Sequence, residues 1–129
     1  MSNEWYARTV LFVADIDRSV DFYVKQLGFT QNWRYEDAGK AWVAQVARPG
    51  LELILSVSPE WPDKLGKGLM FISLDVDVLN ALRAELEGRG VDVNDVLWGY
   101  RVMVIADPDG NEFYFPYKGL EVKGTLQTF

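Results

Sequence analysis

The apolar residues of this chain recur at two periods. Over most of its length they alternate with polar ones, the period of a half-buried strand; in two stretches they return at i, i+3, i+4, i+7, the stripe of an amphipathic helix. Residues 5–13 form the first alternating run, with Arg8 set among apolar neighbours. A helix follows. Val20, Tyr23, Val24 and Leu27 share its apolar face, Asp15 or Asp17 is positioned to cap it, and Gly28 suits the C′ position beyond its end. Residues 29–35, 41–47 and 51–57 read as three more strands, separated by a turn at 36–40 and by Arg48-Pro49-Gly50. In the last of them Leu51, Leu53 and Leu55 point one way, and Glu52 and Ile54 the other.

The second half repeats this order after a Pro-containing loop at 58–67. Residues 69–74 form a strand, and Asp75-Val76-Asp77 echoes Asp15-Ile16-Asp17. A helix with Val78, Leu79, Leu82 and Leu86 apolar follows, and Arg89-Gly90-Val91 echoes Leu27-Gly28-Phe29. Strands are expected at 91–97, 100–106 and 111–116, with Trp98-Gly99 as one connection and Asp107-Pro108-Asp109-Gly110 as the last turn. Both halves read β-α-β-β-β at an offset of about 60 residues. The expected fold class is α+β. Module one covers 5–57, the linker 58–67, module two 68–117, and a tail 118–129. Each module has a sheet face to bury, and two sheets facing a shared cleft satisfy both.

Composition narrows the chemistry. The chain has 129 residues, 49% apolar and 25% charged, ordinary for one globular domain. It contains no cysteine and no histidine. That removes thiolate sites, the commonest general base and the commonest transition-metal ligand. A net charge of −6 argues against a nucleic-acid partner, which calls for a basic field. Neither a signal-peptide pattern nor a membrane-length apolar run is present, so a cytoplasmic location and no membrane partner are expected. Asp107, Asp109 and Asn111 lack the further ligands of a calcium loop and read as a turn. Gly66-Lys67-Gly68 lacks the spacing of a phosphate loop. Asp75 and Asp77 read as helix-capping acids.

Residues 12–23, Phe-Val-Ala-Asp-Ile-Asp-Arg-Ser-Val-Asp-Phe-Tyr, then Leu27-Gly28-Phe29 and Asp107-Pro108-Asp109-Gly110-Asn111, resemble the glyoxalase / bleomycin-resistance / extradiol-dioxygenase group, the vicinal oxygen chelate superfamily. The resemblance implies paired βαβββ modules, a cupped mixed sheet around a ligand cavity, and a homodimer. It also implies four metal-ligand positions, occupied in the metalloenzymes by His, His or Glu, and Glu. Here they fall on Arg8, on Glu52 or Ile54, on Phe71 and on Tyr114. Arg has only donors and Phe has no donor atom, so no metal and no other cofactor is expected. The departure moves the expected function from catalyst toward binder.

Aromatic residues are abundant: five Trp, with Tyr35, Tyr100 and Tyr114 as polar-tipped rings. Trp5 and Trp42 fall in strand patterns and read as core or dimer-interface residues. Trp33, Trp61 and Trp98 lie near strand or loop ends and divide evenly between core and ligand contact. Arg8, if inward, needs a partner: either an internal pair with Glu52 or a polar group of a ligand. The expected ligand-binding set is Arg8, Trp33, Glu52, Ile54, Trp61, Phe71, Trp98, Tyr100 and Tyr114, with no catalytic residue. The leading expectation is a metal-free protein of the bleomycin-resistance type that sequesters an aromatic or cationic small molecule at a dimer interface. The alternatives are an enzyme with an atypical site, using Glu52, Glu112 and Tyr114 as acid–base groups, and a structural member of the fold that binds nothing.

Overall fold

The structure, a computed structural model, describes residues 3–117. The chain divides after Gly68 into two compact units. The first contains β1 (Thr9–Phe12), α1 (Ile16–Lys25), β2 (Thr30–Asp37), β3 (Lys40–Arg48) and β4 (Leu51–Ser56). A 3-10 turn at Pro62–Lys64 follows. The second contains β5 (Leu69–Phe71), α2 (Val76–Gly88), β6 (Asn94–Trp98), β7 (Tyr100–Ala106) and β8 (Glu112–Pro116). Their sheets have equivalent strand orders, β1-β4-β3-β2 and β5-β8-β7-β6. In each, the first strand pairs parallel with the last, and the others pair antiparallel. Two βαβββ units with four-stranded mixed sheets make this an α+β fold, as the repeated pattern predicts.

In the first unit α1 packs against β3, β2 and β4. Ile16, Val20 and Tyr23 of the helix, and Leu27 after it, bury against Leu11, Ala44, Val46, Leu53 and Leu55. The Tyr23 and Phe29 rings meet edge to face, 5.4 Å between centroids. The buried stripe is centred on Ile16, Val20 and Tyr23, so Val24 falls at its margin and is exposed. Asp15 is the N-cap; its carboxylate accepts from the Arg18 N–H at 3.0 Å. Gly28 has φ 75, and this left-handed step lets the Phe29 N–H donate to the Tyr23 carbonyl at 2.9 Å.

In the second unit β7 is buried along Val102–Ile105 and packs beside Phe113 and Phe115 of β8, with Leu79 and Leu86 of α2 also buried. Val78 is exposed instead of joining the stripe. Asp75 is at the N-cap position without a side-chain hydrogen bond. Arg83 of α2 ties the helix to the sheet. It donates to Asp95 of β6 at 2.8 Å and to the Tyr117 hydroxyl, which itself donates to Asp95 at 3.0 Å. The Arg83 guanidinium holds the Asp95 carboxyl below the usual carboxylate range, while burial pushes the Tyr117 phenol up. The last turn is closed by Asp107, whose carboxylate accepts from the N–H groups of Asp109 and Asn111 and from Nδ2 of Asn111, each at 2.9 Å. Asp107 and Asn111 are both buried. Loop backbone and amide groups therefore take up this carboxylate, and the segment is the turn its sequence predicts.

Several boundaries differ from the sequence expectation. The first strand begins at Thr9, not Trp5. Thr9 aligns with Leu53 and β4 starts at Leu51, so residues before Ala7 have no strand to pair with. Trp5, expected in a core or a dimer interface, is 99% exposed and so lies outside this chain's core. β5 stops at Phe71: the Ile72 N–H still donates to the Tyr114 carbonyl, then the chain leaves for α2. Val91, beyond the end of α2, donates back to the Leu86 carbonyl, so β6 starts later and runs to Trp98, leaving Gly99 alone as the connection. The tail expected at 118–129 lies outside the described residues.

β2 and β3 meet in a two-residue hairpin at Ala38-Gly39, with Asp37 opposite Lys40. Both turn residues have positive φ, 52 for Ala38 and 77 for Gly39, as a type I′ turn requires. Ala38 is the one non-glycine residue in that region among the described residues. Ala38→Asn places the preferred Asn-Gly pair there and is expected to stabilise the protein by about 0.5–1 kcal/mol. An unchanged or lower denaturation midpoint in urea refutes this. For Asp95 the folded-state pKa lies below the unfolded value. Its contribution is therefore present above the unfolded value of about 3.9 and is lost as pH falls through the folded value. The stability gap between the wild type and Asp95→Asn should be full at neutral pH and shrink in acid; a constant gap contradicts the pairing.

Candidate functional site

With α1 on one face of the first sheet, strand alternation decides what the opposite, helix-free face presents. Leu11, Leu53, Leu55, Ala44 and Val46 point toward the helix. Arg8, Val10 and Phe12 on the β1 side, and Glu52, Ile54 and Ser56 on β4, point away from it. Gln45 is paired with Ile54 and with Trp33, so both Gln45 and Trp33 lie on this face as well. Tyr35, opposite Val43, follows two residues after Trp33. Trp61, from the loop after β4, meets the Phe12 ring edge to face at 6.0 Å. All five residues expected in this unit, Arg8, Trp33, Glu52, Ile54 and Trp61, thus belong to one face or its rim.

The polar groups on that face form a row. Arg8 Nη1 donates to Gln45 Oε1 at 2.8 Å, and Gln45 Nε2 donates to Asn32 Oδ1 at 3.0 Å. Asn32 occupies a β-bulge between Gln31 and Trp33, which accounts for two neighbouring residues serving the same face. On the other side the Tyr6 hydroxyl donates to Glu52, and the Arg8 guanidinium lies 5.4 Å from the Tyr6 ring centroid. The expected Arg8–Glu52 ion pair is therefore replaced: Arg8 takes Gln45 and Glu52 takes Tyr6. Gln45 is buried, and the Arg8 N–H supplies the donor its oxygen needs.

In the second unit Phe71 stands opposite Tyr114, and the Trp98 indole reaches both. The Phe71 and Trp98 rings lie 5.4 Å apart, and Trp98 meets Tyr114 at 5.7 Å edge to face. Three of the four residues expected there form one aromatic cluster. Phe71 and Trp98 remain partly exposed and Tyr114 is half-buried. Tyr100 opens β7 opposite Trp98, but its side chain lies outside the described part of the structure. Glu112 is half-buried on β8, opposite Ala106 and Leu69. Away from these faces, a groove of about 530 Å³ lies between α1 and β2, lined in part by Asp17, Asp21, Phe29 and Arg34. It contains none of the expected residues. Arg34 fills part of it, donating to Asp17 at 2.7 Å, a bond that raises the guanidinium pKa.

The donor set does not suit the family's metal. Arg8 offers only N–H groups, Phe71 offers none, and Tyr114 is packed in a ring cluster. Among the described residues no three His, Cys, Asp or Glu side chains gather in a cluster able to hold a cation. Tyr6, Asn32 and Gln45 escaped the sequence expectation. Gln45 did carry a signal, as the only polar residue within the apolar run 41–47. Asn32 and Tyr6 had none, because a bulge and a coil segment place them.

The strand order, parallel first-to-last pairing and repeated unit are those of the vicinal oxygen chelate fold. Residues 5–115 match the Glyoxalase/Bleomycin resistance protein/Dioxygenase superfamily, and the chain belongs to it. No curated protein matches the sequence. Among solved structures, it is similar to the bleomycin-binding protein from bleomycin-producing Streptomyces verticillus, solved with copper(II)-bleomycin. The identity is 25%, covering 90% of this chain and 98% of that one, with a TM-score of 0.65. A glyoxalase/bleomycin resistance protein from Streptomyces sp. CB03234 is 28% identical, covering 84% and 98%, with a TM-score of 0.56. TnmS3, an antibiotic-binding protein from the same strain, shares the fold at 24% identity, covering 89% and 98%, with a TM-score of 0.62.

Replacing Arg8 by Met should leave the buried Gln45 oxygen without its donor and cost about 1–2 kcal/mol in urea denaturation. An unchanged midpoint means that the row contributes nothing to the fold.

Proposed function

We propose that the protein is a metal-free binder of the bleomycin-resistance type, which sequesters a small aromatic or cationic molecule. The observation that carries the reading is the helix-free face of the first sheet, where exposed Trp33 and Tyr35 stand beside the Arg8–Gln45–Asn32 row. Flat rings give contact area and stacking at low entropic cost, and fixed polar groups orient what they hold. The likeness to a bleomycin-binding protein at 25% identity supports a binding role. The superfamily also includes enzymes, but two of the three acid–base candidates here are engaged by neighbouring side chains. Glu52 accepts the Tyr6 hydroxyl, and Tyr114 lies in a ring cluster.

The proposal further takes the working form to be a cytoplasmic homodimer with the ligand in a cleft at the dimer interface. Modules 5–57 and 68–117 are joined by the linker 58–67, and Ile54, Trp61 and Tyr100 complete the ligand contacts. No helix among the described residues is long and apolar enough to cross a membrane. Intrinsic Trp fluorescence titrated with glycopeptide and planar antibiotics should quench or shift saturably with at least one of them. Failure of every compound would sink the binding role. Light scattering should give twice the chain mass; a monomer at micromolar concentration would remove the interface cleft.

A further inference from the structure

Arg8 has no acceptor, and this orients the whole polar row on the helix-free face. Its guanidinium requires an oxygen opposite, so Gln45 must turn Oε1 toward it, as observed at 2.8 Å. Gln45 is 6% exposed, and a flipped amide would set its NH₂ against the guanidinium inside the sheet. With Oε1 committed, Nε2 faces the other way and takes Asn32 Oδ1 at 3.0 Å. Asn32 is exposed at its bulge; its oxygen accepts from Gln45, whereas its NH₂ group donates to no described residue. What it offers outward is its NH₂ group. The row begins with a donor-only residue and ends in a donor.

The rings nearby are unequally open to a cation. Lys64 Nζ lies 4.9 Å from the Trp61 centroid and 5.6 Å from Phe12. Arg8 stands over Tyr6. The chain's own cations thus already occupy sites that a cationic ligand would use. Among the described residues none stands over Trp33 or Tyr35, and Trp33, 41% exposed, is the register partner of Gln45. Glu52, the carboxylate beside Arg8, is engaged by the Tyr6 hydroxyl.

We propose that this face selects a flat conjugated ligand whose edge carries hydrogen-bond acceptors, such as carbonyl, quinone or sulfonate oxygens, and discriminates against a flat cation. Trp33 is the stacking surface, and the Arg8–Gln45–Asn32 row sets the polarity. The inference rests on the binding role proposed above and chooses its aromatic branch over its cationic one.

Calorimetric titration of the full chain with anthraquinone-2-sulfonate and with 9-aminoacridine tests it. The sulfonate should bind at least about tenfold more tightly, the equivalent of one good charge-assisted hydrogen bond. Asn32→Ala should weaken the sulfonate about five- to tenfold and leave the acridine unchanged. Gln45→Glu presents oxygen to both neighbours, turns the Asn32 oxygen outward, and should lower the preference about tenfold or more. Should that buried substitution fail to fold, Asn32→Ala at its exposed position still decides. Tighter or equal binding of 9-aminoacridine overturns the inference and leaves the binding role standing. So does an Asn32→Ala variant that weakens both probes alike. Binding of neither probe overturns the inference, and the binding role stands or falls on the antibiotic panel.

Discussion

Parallel pairing of the first strand of each unit with its last is the constraint from which the rest follows. Parallel neighbours cannot be joined by a tight turn; one helix carries the chain from the first strand to the far edge of each sheet, and two antiparallel strands then bring the last strand back beside the first. That crossover supplies a single helix per four-stranded sheet. In the first unit α1 covers the face lined by Leu11, Val46, Leu53 and Leu55 and bears the core. The opposite face is left without a helix. Side chains there do not face α1 and can carry polarity, so Arg8, Gln45, Glu52 and Trp33 coexist on it.

The two units have used the same scaffold differently. On the first sheet the expected ligand positions are polar and joined to neighbours: Arg8 to Gln45, Glu52 to Tyr6. On the second they are aromatic, with Phe71, Trp98 and Tyr114 in mutual ring contact. At Arg8, Phe71 and Tyr114 the family's metal donor is replaced, and each side chain there is engaged by its own surroundings. The positions are thus rebuilt as hydrogen-bonding and stacking groups. This is the physical basis for reading a member of a superfamily that also contains enzymes as a binder.

Fixed polarity in the Arg8–Gln45–Asn32 row arises from a single asymmetry of side-chain chemistry. Amides are ambivalent, able to present oxygen or nitrogen, but a guanidinium is not. One arginine therefore orients two amides in sequence. A comparable economy holds in the second unit, where Arg83 serves Asp95 and Tyr117 together and couples α2 to the sheet. In both, the groups hold one another in place.

Much of the fold was legible in the order of residues alone. Period-two alternation, helix stripes, Asp15, Gly28 and the Asp107–Asn111 turn act through neighbours in sequence, so their signals are local. The repeat, the elements and the loss of metal donors at Arg8, Phe71 and Tyr114 could all be read that way. Element ends could not. β1 starts where β4 can meet it, and Val91 donates back to the end of α2. Nor could the partners on the site face. Tyr6, Asn32 and Gln45 lie up to 39 positions apart and meet only because register and one bulge bring them together. Local chemistry determined which residues can form strands, turns and caps. Tertiary pairing alone decided that Arg8 faces an amide instead of a carboxylate, because hydrogen-bond partners across a sheet are set by strand register, a property no single strand possesses.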